Sequence, residues 1–142
     1  MIITRIVAAT MAALLASGAV VAAGAPPAGL ATARADFATA VASRNTKQIV
    51  ALSDFPLAVE MYGAPPTMTA KDFLAHKQMF DNLFGPPDAG IVQCIRSAAA
   101  ELQSDAKSFG HGNWIVDCNG NEYFFAERRG HWLFVGYENI NE

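Results

Sequence analysis

Residues 113–137 read NWIVDC, NG, NEYFFAER, RG and HWLFVGY: three β-rich runs separated by two turn-forming dipeptides. Asn119-Gly120 is the stronger turn signal. A type I′ hairpin needs positive φ at both central residues, and Asn and Gly tolerate it. Arg129-Gly130 fills the same place between the second and third runs, although Arg resists positive φ. The stretch therefore predicts a three-stranded antiparallel meander of Asn113–Cys118, Asn121–Arg128 and His131–Tyr137.

Two-residue loops fix a register, and the register fixes two faces. Across the first turn, Cys118 falls opposite Asn121, Asp117 opposite Glu122, Val116 opposite Tyr123 and Trp114 opposite Phe125. Across the second, Glu127 falls opposite Trp132, Phe125 opposite Phe134 and Glu122 opposite Tyr137. Opposed residues share a face. One face thus carries Trp114, Val116, Cys118, Tyr123, Phe125, Trp132 and Phe134. The other carries Ile115, Phe124, Ala126, Leu133, Val135 and Tyr137, with Asp117, Glu122, Arg128 and His131 at its ends. An antiparallel sheet with one wet face alternates apolar and polar residues. This one is apolar on both sides, so one face takes helices and the other needs more chain, a second subunit or a ligand.

The N-terminus is laid out as a targeting segment. Arg5 precedes an uninterrupted small and apolar run from Ile6 to Ala23, and Val21-Ala22-Ala23 suits a signal peptidase. The competing reading is an uncleaved membrane anchor, but the run is Ala-rich and lacks a basic stop-transfer flank. The expected layout is a signal peptide over 1–23, a mobile leader over 24–29 and a single domain over 30–142, exported to the periplasm or beyond. No Cys stands near the cleavage site, which argues against a lipoprotein. Of 142 residues, 142 − 23 = 119 remain, enough for one core. Removing Arg5 turns 10 basic against 13 acidic residues into 9 against 13, a net charge of −4. A mildly acidic chain without a basic run argues against nucleic acid and anionic membrane as partners.

Both cysteines, Cys94 and Cys118, fall after the leader. In an oxidising compartment two such thiols pair, and a bridge closing a loop of about 25 residues stabilises by roughly 3 kcal/mol. A redox-active pair is the alternative, without C-x-x-C spacing to support it.

Leu30, Ala33, Phe37, Ala40 and Val41 recur at helical spacing and predict a first helix over Leu30–Ser43. Asn45 with Gln48 resembles a capping box opening a short second helix through Leu52. Phe55–Tyr62 reads as an edge strand, where Pro56 is tolerated. Thr69 is a good N-cap with Asp72 at N3, and Met68 is placed to staple onto Phe73. Phe73, His76, Lys77, Phe80, Leu83 and Phe84 then predict one helix to Gly85-Pro86-Pro87. Residues 90–100 are ambiguous: Ile91, Val92 and Ile95 favour a strand, Ala98–Ala100 a helix, and a strand ending near Ser97 is the expectation. Residues 102–112 read as a loop.

The order helix, helix, strand, helix, then four antiparallel strands resembles the nuclear transport factor 2-like superfamily, and within it exported bacterial members without assigned activity. The matching pieces are DFATAV at Asp36–Val41, DFPLAV at Asp54–Val59, the helix Thr69–Phe84 and the strand–Asn-Gly–strand unit Trp114–Phe125. The resemblance implies an α+β cone in which a curved antiparallel sheet wraps around a long helix. That superfamily includes ketosteroid isomerases, scytalone dehydratase, polyketide cyclases and non-enzymatic binding subunits, so the fold leaves function open.

The residues themselves offer few chemical candidates. Asp117, Glu122 and Tyr137 should cluster at one sheet end, where paired carboxylates would raise one pKa as a proton-transfer site requires; the alternative is a solvated strand end. His76, on the apolar side of the third helix, could act as a general base inside a cone, or be an ordinary core or rim residue. Tyr123 completes the catalytic candidates. His111 and His131 lie at no metal-ligand spacing, so no metal site is expected. Nucleophile and nucleotide-binding motifs are absent, and no cofactor is implied. Trp114, Tyr123, Phe125, Trp132 and Phe134 are candidates to line an apolar ligand pocket or a protein interface, against the plainer reading as core. The resulting expectation is an exported binding protein without enzymatic activity. It would engage a protein or a small apolar ligand, and could pair as a homodimer through the outer sheet face. The alternative is a cofactor-free acid–base isomerase, dehydratase or cyclase with its site inside the cone.

Overall fold

In the computed structural model, residues 24–64, 66–86, 89–103 and 112–141 are described; the expected signal peptide and His111 lie outside them. The elements are α1 (Ala28–Ala42), α2 (Thr46–Ala51), β1 (Ser53–Glu60), β2 (Thr67–Met68), α3 (Ala70–Ala75), α4 (Lys77–Phe84), α5 (Ala89–Ser97), β3 (Ala100–Leu102), β4 (Trp114–Cys118), β5 (Asn121–Arg128) and β6 (His131–Asn139). The fold is α+β. The strands form one six-stranded sheet in the order β2-β1-β6-β5-β4-β3. The sheet is mixed rather than antiparallel, because β1 runs parallel to β6.

The first hairpin has the expected register throughout, from Cys118 opposite Asn121 to Trp114 opposite Phe125. Asn119 and Gly120 take φ of 58° and 85°, as a type I′ turn requires. Asp117 Oδ1 accepts from the Gly120 amide at 2.7 Å and tightens the turn. The second hairpin begins as expected, with Glu127 opposite Trp132 and Phe125 opposite Phe134. It then slips: a bulge between Phe124 and Phe125 sets Tyr123 opposite Tyr137 and Glu122 opposite Glu138. One extra residue in β6 reverses every later side chain. Tyr137 therefore leaves the outer face and joins Tyr123 in the core.

Three other expectations are corrected. Residues 90–97 are helical, within α5, and the strand begins only at Ala100. Ile91, Val92 and Ile95 pack toward the main core from one side of that helix, so β-branched content was the weaker guide. The reading of Thr69–Phe84 as one helix fails at His76, whose φ −121° and ψ 102° separate α3 from α4. The break sends Phe73 toward Phe55, at 5.9 Å between rings, and Phe84 toward Phe37 at 5.8 Å. Finally, β1 is not an edge strand, since β2 and β6 flank it. Pro56 is accommodated because it falls in the register shift between Ser53 and Ala58, where a missing amide costs no ladder bond.

Two caps form as read: the Asn45 side chain accepts from the Gln48 amide, and the Thr69 hydroxyl from the Asp72 amide, each at 3.1 Å. The pairing of Cys94 with Cys118 is present and ties α5 to β4. Phe37 of α1 is the centre of the core, with ring centroids 5.8, 5.6 and 4.7 Å from Phe84, Phe125 and Phe134. Arg34, one turn earlier, is buried too. Its Nε donates to the Ile95 carbonyl at 2.8 Å and its Nη2 to those of Ala98 at 2.7 Å and Cys94 at 3.3 Å. Ile95 lies in the last turn of α5 and Ala98 just past its end, while the Cys94 carbonyl also accepts the Ala98 amide at 2.9 Å, so the guanidinium caps one helix from another.

Candidate functional site

The aromatic face that could have lined an internal pocket is filled instead. Tyr123, Phe125 and Phe134 are wholly buried and Trp114 nearly so, all in one cluster with Phe37, Phe80 and Phe84. The Tyr123 hydroxyl donates to the Leu83 carbonyl at 2.7 Å, and burial, with Tyr137 nearby, pushes its pKa up. The Tyr137 hydroxyl donates to Asn121 Oδ1 at 2.6 Å. Both tyrosines border a cleft of about 330 Å³ beside the end of α4, with these hydroxyls already engaged.

The remaining acid–base candidates are dispersed. His76 is exposed at the α3–α4 break rather than turned into an interior. Asp117 and Glu122 do stand opposite each other on the outer face, but Tyr137 lies on the other side of the sheet. Among the described residues no group of three or more His, Cys, Asp or Glu is placed to hold a metal ion.

A larger opening lies at the β5–β6 hairpin tip. This cleft of about 680 Å³ has three contributors. α1 presents Thr32, Ala33 and Asp36, one face of the helix by their spacing. The end of α2 and start of β1 present Ala51, Leu52 and Asp54; the hairpin presents Arg128 to Leu133. Half-buried Ala33, Leu52 and Trp132 form an apolar floor, while Asp36, Asp54, Arg129 and His131 are exposed around it. One ion pair crosses the opening, Arg128 Nε to Asp54 Oδ2 at 3.4 Å. Gly29 lets the first turn of α1 approach the floor: a Cβ there would sit 3.0 Å from Trp132 Cδ1.

The turn carrying this basic group is conformationally expensive. Arg129 and Gly130 take φ of 52° and 80°. A non-glycine residue in this region costs about 1–2 kcal/mol, and Asn would suit a type I′ turn better. The residue in that costly conformation is one that lines the cleft.

Of the five aromatic candidates, Trp132 lines this cleft; Asp36, Asp54, Arg128, Arg129 and His131 were not singled out from sequence as site residues. Asp36 and Asp54 are remote from the hairpin in sequence, and only the parallel placement of β1 beside β6 brings Asp54 to it. The available signal was RRGHW itself: an arginine where the turn prefers Asn, flanked by a second cation and an aromatic. The chain matches no family model, no curated protein and no solved structure. The cleft's own chemistry therefore carries the functional reading.

Proposed function

We propose that this chain is an exported, non-enzymatic binding protein of the nuclear transport factor 2-like kind, holding a small molecule between α1 and the β5–β6 hairpin tip. One observation carries the reading: the internal aromatic face is packed solid, whereas Trp132 forms part of an open floor ringed by charged groups. The opening is within the usual range of small-molecule sites, about 300–1,000 Å³. The disulfide and the apolar N-terminal run support export. Native mass spectrometry on the protein purified from the periplasm tests both parts. The expected result is a chain lacking residues 1–23 and carrying a small molecule that Trp132→Ala loses while keeping its circular dichroism. A molecule retained by that variant would place binding elsewhere, and a full-length chain would remove the export step.

A further inference from the structure

The cleft's charges are segregated by wall. The carboxylates, Asp36 and Asp54, come from α1 and β1; the cations, Arg128 and Arg129 with His131 beside them, all come from the hairpin. Arg128 and Asp54 neutralise one another. Among the described residues Asp36 and Arg129 make no ion pair or side-chain hydrogen bond, so each wall keeps one uncompensated charge.

We infer that the cleft binds a short apolar peptide with free termini, its carboxylate toward Arg129, its ammonium toward Asp36 and its side chains on Trp132 and Leu52. This rests on the cleft being the binding site. A simple anion would gain from Arg129 but meet Asp36, and a simple cation would gain from Asp36 but meet Arg129. A ligand with one charge of each sign, set apart by an apolar body, gains from both walls. A free amino acid keeps its two charges on one carbon, whereas these walls belong to different elements. Each added residue separates the termini by about 3.3–3.6 Å, and the volume of about 680 Å³ admits two or three. The half-buried indole supplies the flat apolar contact that fixes such a ligand between the charges.

The test uses four forms of one dipeptide: Leu-Phe, acetyl-Leu-Phe, Leu-Phe amide and acetyl-Leu-Phe amide, titrated at low salt while the Trp132 indole N–H is followed by NMR. Unmodified Leu-Phe is expected to bind tightest, with loss of either charge weakening Kd about two- to fivefold, as for exposed ion pairs. Asp36→Asn should erase only the penalty for acetylation, and Arg129→Gln only the penalty for amidation. Both residues are exposed, so the variants should fold. If all four forms shift the indole with equal affinity, the cleft binds ligands but the charge assignment is wrong. If only one terminus matters, the site is a simple anion or cation site and the peptide assignment falls. If none of the four moves the indole signal, the peptide assignment falls; whether the cleft binds anything is then decided by the Trp132→Ala mass measurement. Penalties unchanged in the variants would overturn the roles given to Asp36 and Arg129.

Discussion

Tyr123 joins the core to a titratable group, and that gives it a measurable signature. Burial raises its pKa above the ordinary tyrosine value, so the folded state holds the phenolic proton more tightly than the unfolded chain does. The stability this contributes is fully present below about pH 10, the unfolded tyrosine value, and is lost as pH rises above it. Tyr123→Phe should cost about 1 kcal/mol near neutrality, because the Leu83 carbonyl loses its donor. Above pH ~10 the variant should lose less stability than the parent, and thermal melts on either side of that value decide it. Equal alkaline losses would mean that another group governs the transition. Arg34 makes the opposite case, a buried cation held by carbonyls rather than by a carboxylate. Arg34→Met keeps much of the apolar stem and orphans the end of α5. It should lower stability by about 2–3 kcal/mol, measured by urea denaturation.

At the scale of elements, the two hairpin turns have the same backbone and different sequences. Asn119-Gly120 is what the geometry asks for; Arg129-Gly130 is not. Arg129→Gly should relieve the 1–2 kcal/mol of left-handed strain, less about 0.5–1 kcal/mol of added chain entropy. The variant is expected to melt slightly higher yet bind more weakly, a trade of stability against function. A lower melting temperature would show that the guanidinium serves the fold. The disulfide joins α5 to β4 across a separation of 24 residues. Replacing both cysteines by Ala should therefore cost about 3 kcal/mol in a denaturant titration. These turns also show what was legible beforehand. The strands from Trp114 to His131 and the first register could be read because turn chemistry is local. The slip after Phe134 could not, since nothing in WLFVGY marks which residue bulges. Nor could the break at His76 or the helix at 89–97, where packing against Phe55, Phe37 and Arg34 outweighed periodicity and propensity. The cleft was half legible, its hairpin wall as an anomaly and its α1 wall not at all.

For the whole molecule, the outer sheet face is the surface through which a homodimer was expected. Phe124, Ala126 and Val135 are buried within the single chain, with Ala58 and Ile115 packed against them. Because these side chains are buried in the single chain, light scattering at micromolar concentration should return a monomer; a dimer would show that an associating surface remains. The sheet order carries a further consequence. β6 is the latest strand in sequence yet lies between β1 and β5, hydrogen-bonded to both. Until residues 131–139 have left the ribosome, β2-β1 and β5-β4-β3 remain two fragments with no seam between them. The nascent chain thus has no complete sheet to close upon until that strand has emerged. In a chain exported as proposed above, such lateness would keep it pliable during transit and defer its final shape to the far side.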